Sequence, residues 1–422
     1  METVLDRFLR YVKIDTESAF DSETVPSTES QREFALLLAG ELEALGAVDV
    51  FVSEAGCVYA RVPANGCTGA PAIGFCAHVD TTPEFNGHGV KPRVVKNYDG
   101  RDIPLNEEKN IVMKVKTFPH LKNYVGDDIV VTDGTTLLGA DDKAGVAEIM
   151  TMLQYFHEHP DEKHPELQLF FPTDEETGCL GAQTLDKAHF NPQFAYTLDG
   201  GPIGEITYET FNAAEARVSV KGVSIHPGIA KDKMKNSILI ANEFLNMLPS
   251  AETPGYTEGY EGYYHVLEFG GDVELTKMKF YIRDHDRTKF EARKERIGEI
   301  AAYLNKVYGN DTVTFTMSDT YRNISKAIKN HFKIVEAIEE AMKAEGVTPF
   351  YTPMRGGTDG TVLSFRGIPC PNICIGGHNF HGRYEYVPVQ SMEKISAILV
   401  RLLRSEERRV GKECRSRWSP YH

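Results

Sequence analysis

Short apolar runs of strand length recur along the chain and are separated by stretches with helical spacing. The runs are residues 72–77, 136–140, 167–171, 194–198 and 372–375. Buried strands that alternate with helices are typical of a mostly parallel sheet covered by helices. The pattern therefore predicts an α/β fold with five strand-like segments.

Helical spacing is clearest near the N-terminus and after Lys143. Residues 28–31 (TESQ) have the spacing of a capping box, and the helix they would begin places Phe34 and Leu38 on one face. Gly46 is a plausible stop for this helix. The apolar run that follows Lys143 predicts a second helix, packed on the sheet and buried.

The pattern changes near residue 208, where the order of elements becomes β-α-β-β-α-β. The predicted strands are 213–220, 264–269, 273–282 and 313–317, and the predicted helices are 236–248 and 288–308. This order is the split βαβ, or ferredoxin-like, motif. It predicts an inserted α+β domain over residues 208–320, interrupting a larger domain formed by 1–207 and 321–404.

The larger domain should resume with a helix near residues 324–344. Residues 84–128 are rich in Gly, Asn, Asp and Lys. This composition predicts an insertion with short hairpins, placed over the candidate site at the strand ends that is described below. Residues 405–422 carry five basic residues and lack apolar periodicity, which predicts a disordered tail or a sequence scar. A basic interaction tail is the alternative.

Composition narrows the class of protein. The chain has 422 residues with 41% apolar content, and no apolar run approaches the length that spans a membrane. The formal charge of −15 and the absence of a basic stripe argue against nucleic-acid binding. The seven cysteines form no CxxC pair, which favours reduced thiols in a cytoplasmic protein.

Metal-ligand residue types follow the predicted strands, where α/β sheets bind their ligands. They are His78, Asp80, Asp141, Asp142, Glu175, Glu176, Asp199, His378, Asn379 and His381. Neighbouring carboxylates repel one another and are costly to bury, so a site that collects them needs compensating positive charge. The sequence therefore predicts a metal centre at this edge of the sheet.

His78 and Asp80 stand two apart, so both point to one face of the strand. One interpretation makes His78 a ligand and Asp80 the residue that orients its ring; Asp80 as a direct ligand is the alternative. Asp141 enters a helix and is interpreted as a carboxylate that bridges two metals. The competing interpretation is a helix N-cap, which applies above all to Asp142.

Glu175 and Glu176 divide two tasks, because one adjacent acid can bind metal while the other handles protons. Mixed nitrogen and oxygen ligands suit Zn²⁺, and Co²⁺ or Mn²⁺ could substitute. A thiolate ligand from Cys179 is not needed, since enough harder ligands are present.

Five segments, AHVDTTPEFNG, LLGADDKAG, PTDEETG, YTLDGG and FHGRYE, occur in this order. Together they resemble the di-zinc exopeptidase family that includes aminoacylases and glutamate carboxypeptidases. The resemblance extends to about residue 404. It implies two Zn²⁺ per subunit, a cis peptide at Asp141-Asp142, Asp80 and Glu175 as catalytic helpers, and no ligand role for His378. The implied metal ligands are His78, Asp141, Glu176, Asp199 and His381.

The resemblance also implies residues that hold the substrate. His226 would reach the active site of the partner subunit of a homodimer and help to hold the oxyanion, unless it is an ordinary loop histidine beside Pro227. Arg283, Arg355 and Asn379 would hold the free carboxylate of a peptide. Arg283 could instead pair with a neighbouring aspartate on the surface.

The implied activity is a zinc-dependent aminopeptidase that removes the N-terminal residue from tripeptides. A dipeptidase or an N-acyl-amino-acid amidohydrolase would keep the same metal residues and differ in the pocket. A non-catalytic peptide-binding protein is the alternative from another class, although binding alone does not need a proton-transferring Glu175. Purely structural zinc is disfavoured, because such sites are usually rich in cysteine.

Overall fold

The computed structural model describes residues 2–67 and 69–416 of the chain. The chain divides into two compact units. The catalytic unit contains the described residues before Glu209, together with Ala327–Tyr351 and those from Thr358 onward. The lid unit contains Glu209–Lys326 and Thr352–Gly357. The predicted domain boundaries, after residues 207, 320 and 404, stay predictions beside these limits.

An eight-stranded sheet forms the centre of the catalytic unit, in the order β1-β2-β8-β3-β9-β16-β10-β15. Strands β8, β3, β9 and β16 are parallel neighbours, and β10 pairs in parallel with β15. The predicted α/β class with a mostly parallel sheet is confirmed. The strands of this sheet are β1 Val48–Val52, β2 Val58–Val62, β3 Ile73–Cys76, β8 Leu167–Phe171, β9 Phe194–Gly200, β10 Glu205–Thr207, β15 Phe350–Tyr351 and β16 Asn372–Cys374.

Close packing of β3 against β9 explains a glycine in a buried strand. A Cβ atom on Gly74 would lie 2.7 Å from Ala195 Cβ, Phe190 Cζ and Pro192 Cγ. Any larger residue would push the two parallel strands apart. Gly74 therefore helps to keep the ends of β3 and β9, from which candidate site residues project, close together.

Helices cover the sheet of the catalytic unit. They are α1 Val4–Tyr11, α2 Glu29–Ala44, α3 Ala140–Glu158, α4 Leu180–Gln183, α7 Ser325–Lys329 (which crosses the limit between the units), α8 Lys333–Ala344, α9 Asp359–Phe365 and α10 Val389–Ser416. Helix α3 packs against α1, α10 and β9, and most of its residues are buried. The predicted buried helix after Lys143 is confirmed.

The insertion between β3 and α3 forms two small sheets. Strands β5 Ile103–Asn106 and β6 Ile111–Met113 form an antiparallel hairpin, which confirms the predicted hairpin. Strand β7 Ile129–Val131 pairs with β4 Arg93–Val95 and β17 Tyr386–Pro388. A 3-10 helix, Pro119–Tyr124, completes the insertion.

The lid unit has the predicted β-α-β-β-α-β order. Its antiparallel sheet has the order β12-β13-β11-β14, and α5 and α6 pack against it around a core that includes Phe244, Phe280 and Phe290. The elements are β11 Asn212–Lys221, α5 Ser237–Asn246, β12 Tyr263–Gly271, β13 Leu275–Asp284, α6 Arg287–Tyr308 and β14 Val313–Tyr321, with 3-10 helices at Pro227–Ile229 and Pro254–Tyr256.

Residues 136–140 are not a strand, contrary to the prediction. The backbone N–H groups of Leu138 and Gly139 donate to the carboxylate of Glu385 instead of to a neighbouring strand. Gly139 has a φ of 79°, which breaks an extended run. The apolar side chains are buried, but the backbone forms a turn.

Two helix predictions also need correction. Helix α2 begins after Thr28, but the capping box is absent: Thr28 Oγ1 donates to Glu17 O, and Gln31 Nε2 donates to Asp174 Oδ1 at 2.7 Å. The predicted helix near 324–344 is two helices, α7 and α8. Between them the N–H of His331 bonds to Ile328 O, only three residues back, which tightens the backbone into a turn.

Helix α10 continues to Ser416, past the predicted end of the fold at residue 404. The rest of the predicted tail, 417–422, lies outside the described residues. Among the helices of the described ranges, none combines the length and the apolar character needed to cross a bilayer.

Candidate metal centre

Five predicted ligand residues come together in the catalytic unit as two overlapping groups. His78, Asp141 and Asp199 offer donor atoms that lie within 4.8 Å of one another, and so do Asp141, Glu176 and His381. Asp141 belongs to both groups. This is the position that the bridging interpretation of Asp141 requires.

The distances show how each carboxylate oxygen of Asp141 faces one histidine. Asp141 Oδ1 lies 2.9 Å from His78 Nε2, and Asp141 Oδ2 lies 3.4 Å from His381 Nε2. Asp199 Oδ1 is 3.8 Å from His78 Nε2, and Glu176 Oε2 is 3.0 Å from His381 Nε2. The donors therefore surround two adjacent positions that share one carboxylate.

His78 is held from behind by Asp80. His78 Nδ1 lies 3.0 Å from Asp80 O and 3.3 Å from Asp80 Oδ1, which leaves Nε2 directed at the donor cluster. The Asp80 carboxylate also accepts hydrogen bonds from the backbone N–H groups of Glu175 (3.0 Å) and Glu176 (3.2 Å). Asp80 is in neither donor group, so the geometry favours an orienting role over direct ligation.

The peptide bond between Asp141 and Asp142 is cis, as the family resemblance implied. Asp142 Oδ2 accepts a hydrogen bond from the backbone N–H of His78 at 3.0 Å. Helix α3 has no side-chain N-cap hydrogen bond. The N-cap interpretation is therefore wrong for Asp142, whose carboxylate fixes the segment that carries His78.

The cluster contains more negative than positive charge, and the pKa directions reflect this. Burial, together with the charges of Asp141 and Glu175, raises the pKa of Asp199 well above its usual range. Burial opposes protonation of His381, yet its hydrogen bonds with Asp141 and Glu176 raise its pKa to about 12. A site of this composition takes up positive charge, and its oxygen and imidazole donors suit divalent cations such as Zn²⁺.

Glu175 stands beside the two donor groups and belongs to neither. Its Oε1 atom lies 3.5 Å from Cys179 Sγ. Burial raises the pKa of Glu175 to about 8, and the neighbouring carboxylates of Glu176 and Asp141 act in the same direction. The direction of this pKa shift agrees with the proton-transfer role that the sequence predicts for Glu175.

His378 also lies outside the donor groups. Its Nε2 atom is 2.6 Å from the hydroxyl oxygen of Tyr124, and its ring stacks against those of His120 and Tyr386. Burial lowers the pKa of His378 to about 3, so the ring is neutral. This arrangement agrees with a structural residue. The neighbouring Asn379, a predicted carboxylate holder, donates from Nδ2 to Tyr384 O at 3.0 Å.

Three predicted substrate residues belong to the lid unit. His226 is exposed, and its Nδ1 atom accepts a hydrogen bond from the N–H of Gly228 at 3.2 Å. Arg283 contacts the hydroxyl group of Tyr321 and packs over that ring and over Tyr281. Pairing of Arg283 with Asp284 is not what the structure has, since Asp284 accepts a hydrogen bond from Arg293 at 2.8 Å.

Arg355 donates hydrogen bonds to a loop of its own unit. Its Nη1 atom donates to Gly259 O (3.0 Å) and Glu261 O (2.8 Å), and its Nη2 atom donates to Thr257 Oγ1 (2.7 Å). The guanidinium group also packs over Phe211. A role for Arg355 in binding a peptide carboxylate stays a prediction.

Two carboxylates that border the cluster were missed. Glu84 Oε2 lies 2.9 Å from His381 Nδ1, and Glu385 binds the turn before Asp141. Both lie inside the segments that carry the family resemblance, AHVDTTPEFNG and FHGRYE. Neither follows a predicted strand directly, so the strand-end pattern did not select them.

Comparison with known proteins adds independent observations. Residues 208–312 match the family model described as a peptidase dimerisation domain. Peptidase T of Halothermothrix orenii is 52% identical over 403 residues, which cover 96% of this chain and 98% of that protein. Peptidase T of Geobacillus thermodenitrificans is 50% identical over 410 residues, which cover 97% and 100%. The chain belongs to the peptidase T family. As a member of this family it is a metal-dependent exopeptidase.

Solved structures share the peptidase T fold. The aminopeptidase PepT from Bacillus cereus has a TM-score of 0.76 at 24% identity, over 96% of this chain and 98% of that chain. A dinuclear metal-binding peptidase of the M20 family from Bacillus subtilis has a TM-score of 0.63 at 14% identity, over 95% and 97%. These likenesses support the α/β fold with an inserted domain.

Proposed function

We propose that the chain is a di-zinc aminopeptidase that releases the N-terminal residue of tripeptides. The observation that carries this proposal is the pair of three-residue donor groups that share Asp141. A shared carboxylate between two sets of mixed nitrogen and oxygen donors suits two neighbouring divalent ions. The name of the B. subtilis relative, a dinuclear metal-binding peptidase, supports the same reading.

The ligands divide between two ions. His78 and Asp199 would hold one, Glu176 and His381 would hold the other, and Asp141 belongs to both donor groups. When bound, the ions polarise the scissile carbonyl and lower the pKa of a water molecule. Zn²⁺ fits this donor set, and Co²⁺ or Mn²⁺ could replace it.

Glu175 is the proposed general base. It accepts the proton of the attacking water and gives it to the amine that leaves, so the carboxyl group returns to its starting state. Its half-buried position beside Glu176 and its place outside both donor groups support this role. Asp80 assists by orienting His78 and by fixing the backbone of the Glu175-Glu176 pair.

The substrate class comes from the relatives. Structural neighbours of this chain include an aminopeptidase from B. cereus and a tripeptidase from Staphylococcus aureus. The free carboxylate of a short peptide is suited to hydrogen bonds from guanidinium and amide groups, which is the role proposed for Arg283, Arg355 and Asn379.

Dimer formation through residues 208–320 is part of the proposal. The match to a peptidase dimerisation domain supports it, and the exposed position of His226 leaves this side chain accessible to a partner subunit. In the dimer, His226 would help to stabilise the oxyanion of the other subunit. A cytoplasmic location fits a sequence whose seven cysteines form no CxxC pair.

Substrate assays separate this function from its rivals. The purified, zinc-loaded protein is expected to hydrolyse tripeptides with a higher kcat/KM than dipeptides or N-acyl amino acids. A higher kcat/KM for N-acyl amino acids would make it an amidohydrolase instead. Binding of tripeptides without turnover would support a non-catalytic peptide-binding protein.

A further inference from the structure

Glu385 is a buried carboxylate of the catalytic unit that the proposed reaction does not use. Its residue is 1% exposed. Oε2 accepts hydrogen bonds from the backbone N–H groups of Leu138 (2.7 Å) and Gly139 (2.8 Å), and Oε1 accepts one from Asp141 (3.1 Å). Charge-assisted hydrogen bonds inside a protein are stronger than neutral ones, so this carboxylate fixes the turn firmly.

The turn needs an acceptor such as Glu385 because its backbone has no strand partner. Gly139 adopts a φ of 79°, and a Cβ atom there would lie 3.3 Å from Thr81 Cγ2. The positive φ lets successive N–H groups converge on one side, where the carboxylate lies. Without this acceptor, several buried donors would lose their partners at once.

The turn leads directly into the shared ligand of the centre. Asp141 is the last residue that donates to Glu385, and its two oxygens face His78 and His381. Glu385 itself follows His381 by four residues in the same loop. One side chain therefore joins the segment that carries Asp141 to the segment that carries His381.

We infer that Glu385 is a positioning residue of the metal centre. It holds Asp141 in register with His381 and so sets the affinity of the chain for its divalent cations. The interaction is distinct from ligation, because Glu385 binds backbone amides and is in neither donor group. The inference rests on the proposed function, since it assumes that the two donor groups bind metal.

The test replaces Glu385 by glutamine. Glu385→Gln keeps the size of the side chain but turns an NH₂ donor toward amide donors. We expect the variant to bind Zn²⁺ about 10- to 100-fold more weakly than the unsubstituted protein, as is usual when a group that orients a ligand is removed. Competition with a chromophoric chelator on demetallated protein measures this, and kcat should fall with little change in KM.

Glu148→Gln is the matched control. Glu148 is also a fully buried acid of the catalytic unit, but neither of its oxygens has a hydrogen-bond partner among the described residues, and it is outside both donor groups. The same chemical change should therefore leave Zn²⁺ affinity unchanged. Equal losses of affinity in both variants would show a general effect of the core and would overturn the inference.

The remaining outcomes are distinguishable. If the unsubstituted protein binds no Zn²⁺, the proposed function fails before Glu385 is tested; if it binds two Zn²⁺ and Glu385→Gln binds them equally well, only the Glu385 inference fails. Should Glu385→Gln not fold, hydrogen exchange of the unsubstituted, demetallated protein decides. Slow exchange in a fragment covering residues 136–142 supports the inference, and exchange as fast as in exposed loops overturns it.

Discussion

The two units treat their buried acids in opposite ways. In the lid unit, Asp284 is 1% exposed and accepts a hydrogen bond from Arg293, which also pairs with Glu252. In the catalytic unit, Asp141 lies beside His78 and His381, and Glu176 also lies beside His381. The carboxylates of the two donor groups outnumber the histidines, which leaves an excess of negative charge. The lid unit neutralises buried Asp284 with its own Arg293, whereas the excess carboxylates of the catalytic unit suit added divalent cations.

The largest expected effect follows from removing the shared ligand. Asp141→Ala should abolish high-affinity binding of both Zn²⁺ ions, because Asp141 belongs to both donor groups, and tripeptide hydrolysis should fall to background. Elemental analysis after reloading with Zn²⁺ and gel filtration measures the loss. If Asp141→Ala retained two Zn²⁺ and normal activity, the acids of the catalytic unit would not be the metal-binding group that distinguishes it from the lid unit.

Replacement of the proposed base should separate catalysis from metal binding. Glu175→Ala is expected to lower kcat by about 10²- to 10⁴-fold, the range for loss of a general base. Its metal content should remain at the level of the unsubstituted protein, because Glu175 is in neither donor group. Glu176→Ala is the matched variant, which should lose activity together with metal. Normal turnover in Glu175→Ala would remove this residue from the mechanism.

Replacement of a buried acid by alanine in the lid unit should lower stability and leave the metal content unchanged. Asp284→Ala leaves Arg293 without its buried partner and is expected to lower the free energy of unfolding by about 3 kcal/mol. Asp286→Ala, which removes an exposed cap of α6, should cost only about 1 kcal/mol. Denaturant titration measures both. A loss of Zn²⁺ in folded Asp284→Ala would mean that the two units do not divide these tasks.

The smallest expected effect concerns Glu148, whose pKa burial raises well above its usual range. A raised carboxyl pKa in the folded state stabilises the protein below the unfolded pKa of about 4.5, and this stabilisation is lost as pH rises. The stability of Glu148→Gln relative to the unsubstituted protein should therefore increase as pH rises from 5 to 7. Thermal melts at both pH values measure the gain; a constant difference would contradict it.

Four of the five candidate ligands were predictable because strand ends in an α/β sheet converge. His78, Glu176 and His381 follow runs that the structure has as β3, β8 and β16, and Asp199 lies in β9. Apolar runs and the residues that end them are local features of a sequence. Which of Glu175 and Glu176 binds metal was settled by the family resemblance and not by the spacing.

Contacts between distant parts of the chain were not predictable. Glu385 reaches Gly139 across 246 positions, and no periodicity marks it. The apolar run at 136–140 has the composition of a strand, but its backbone bonds to this side chain, so composition alone gave the wrong element. Helix α2 begins where predicted, yet its capping residues bond elsewhere. Side-chain competition for backbone groups decides such cases.

Asp80 links the backbone of Glu175 to that of Glu176. Its two carboxylate oxygens accept hydrogen bonds from the backbone N–H groups of both glutamates. The backbone carbonyl of the same residue contacts the His78 ring. A rotation of the Asp80 side chain would move the backbone of both glutamates together. Positions 175 and 176 are thus coupled through one side chain, and a substitution at Asp80 would alter both of them at once.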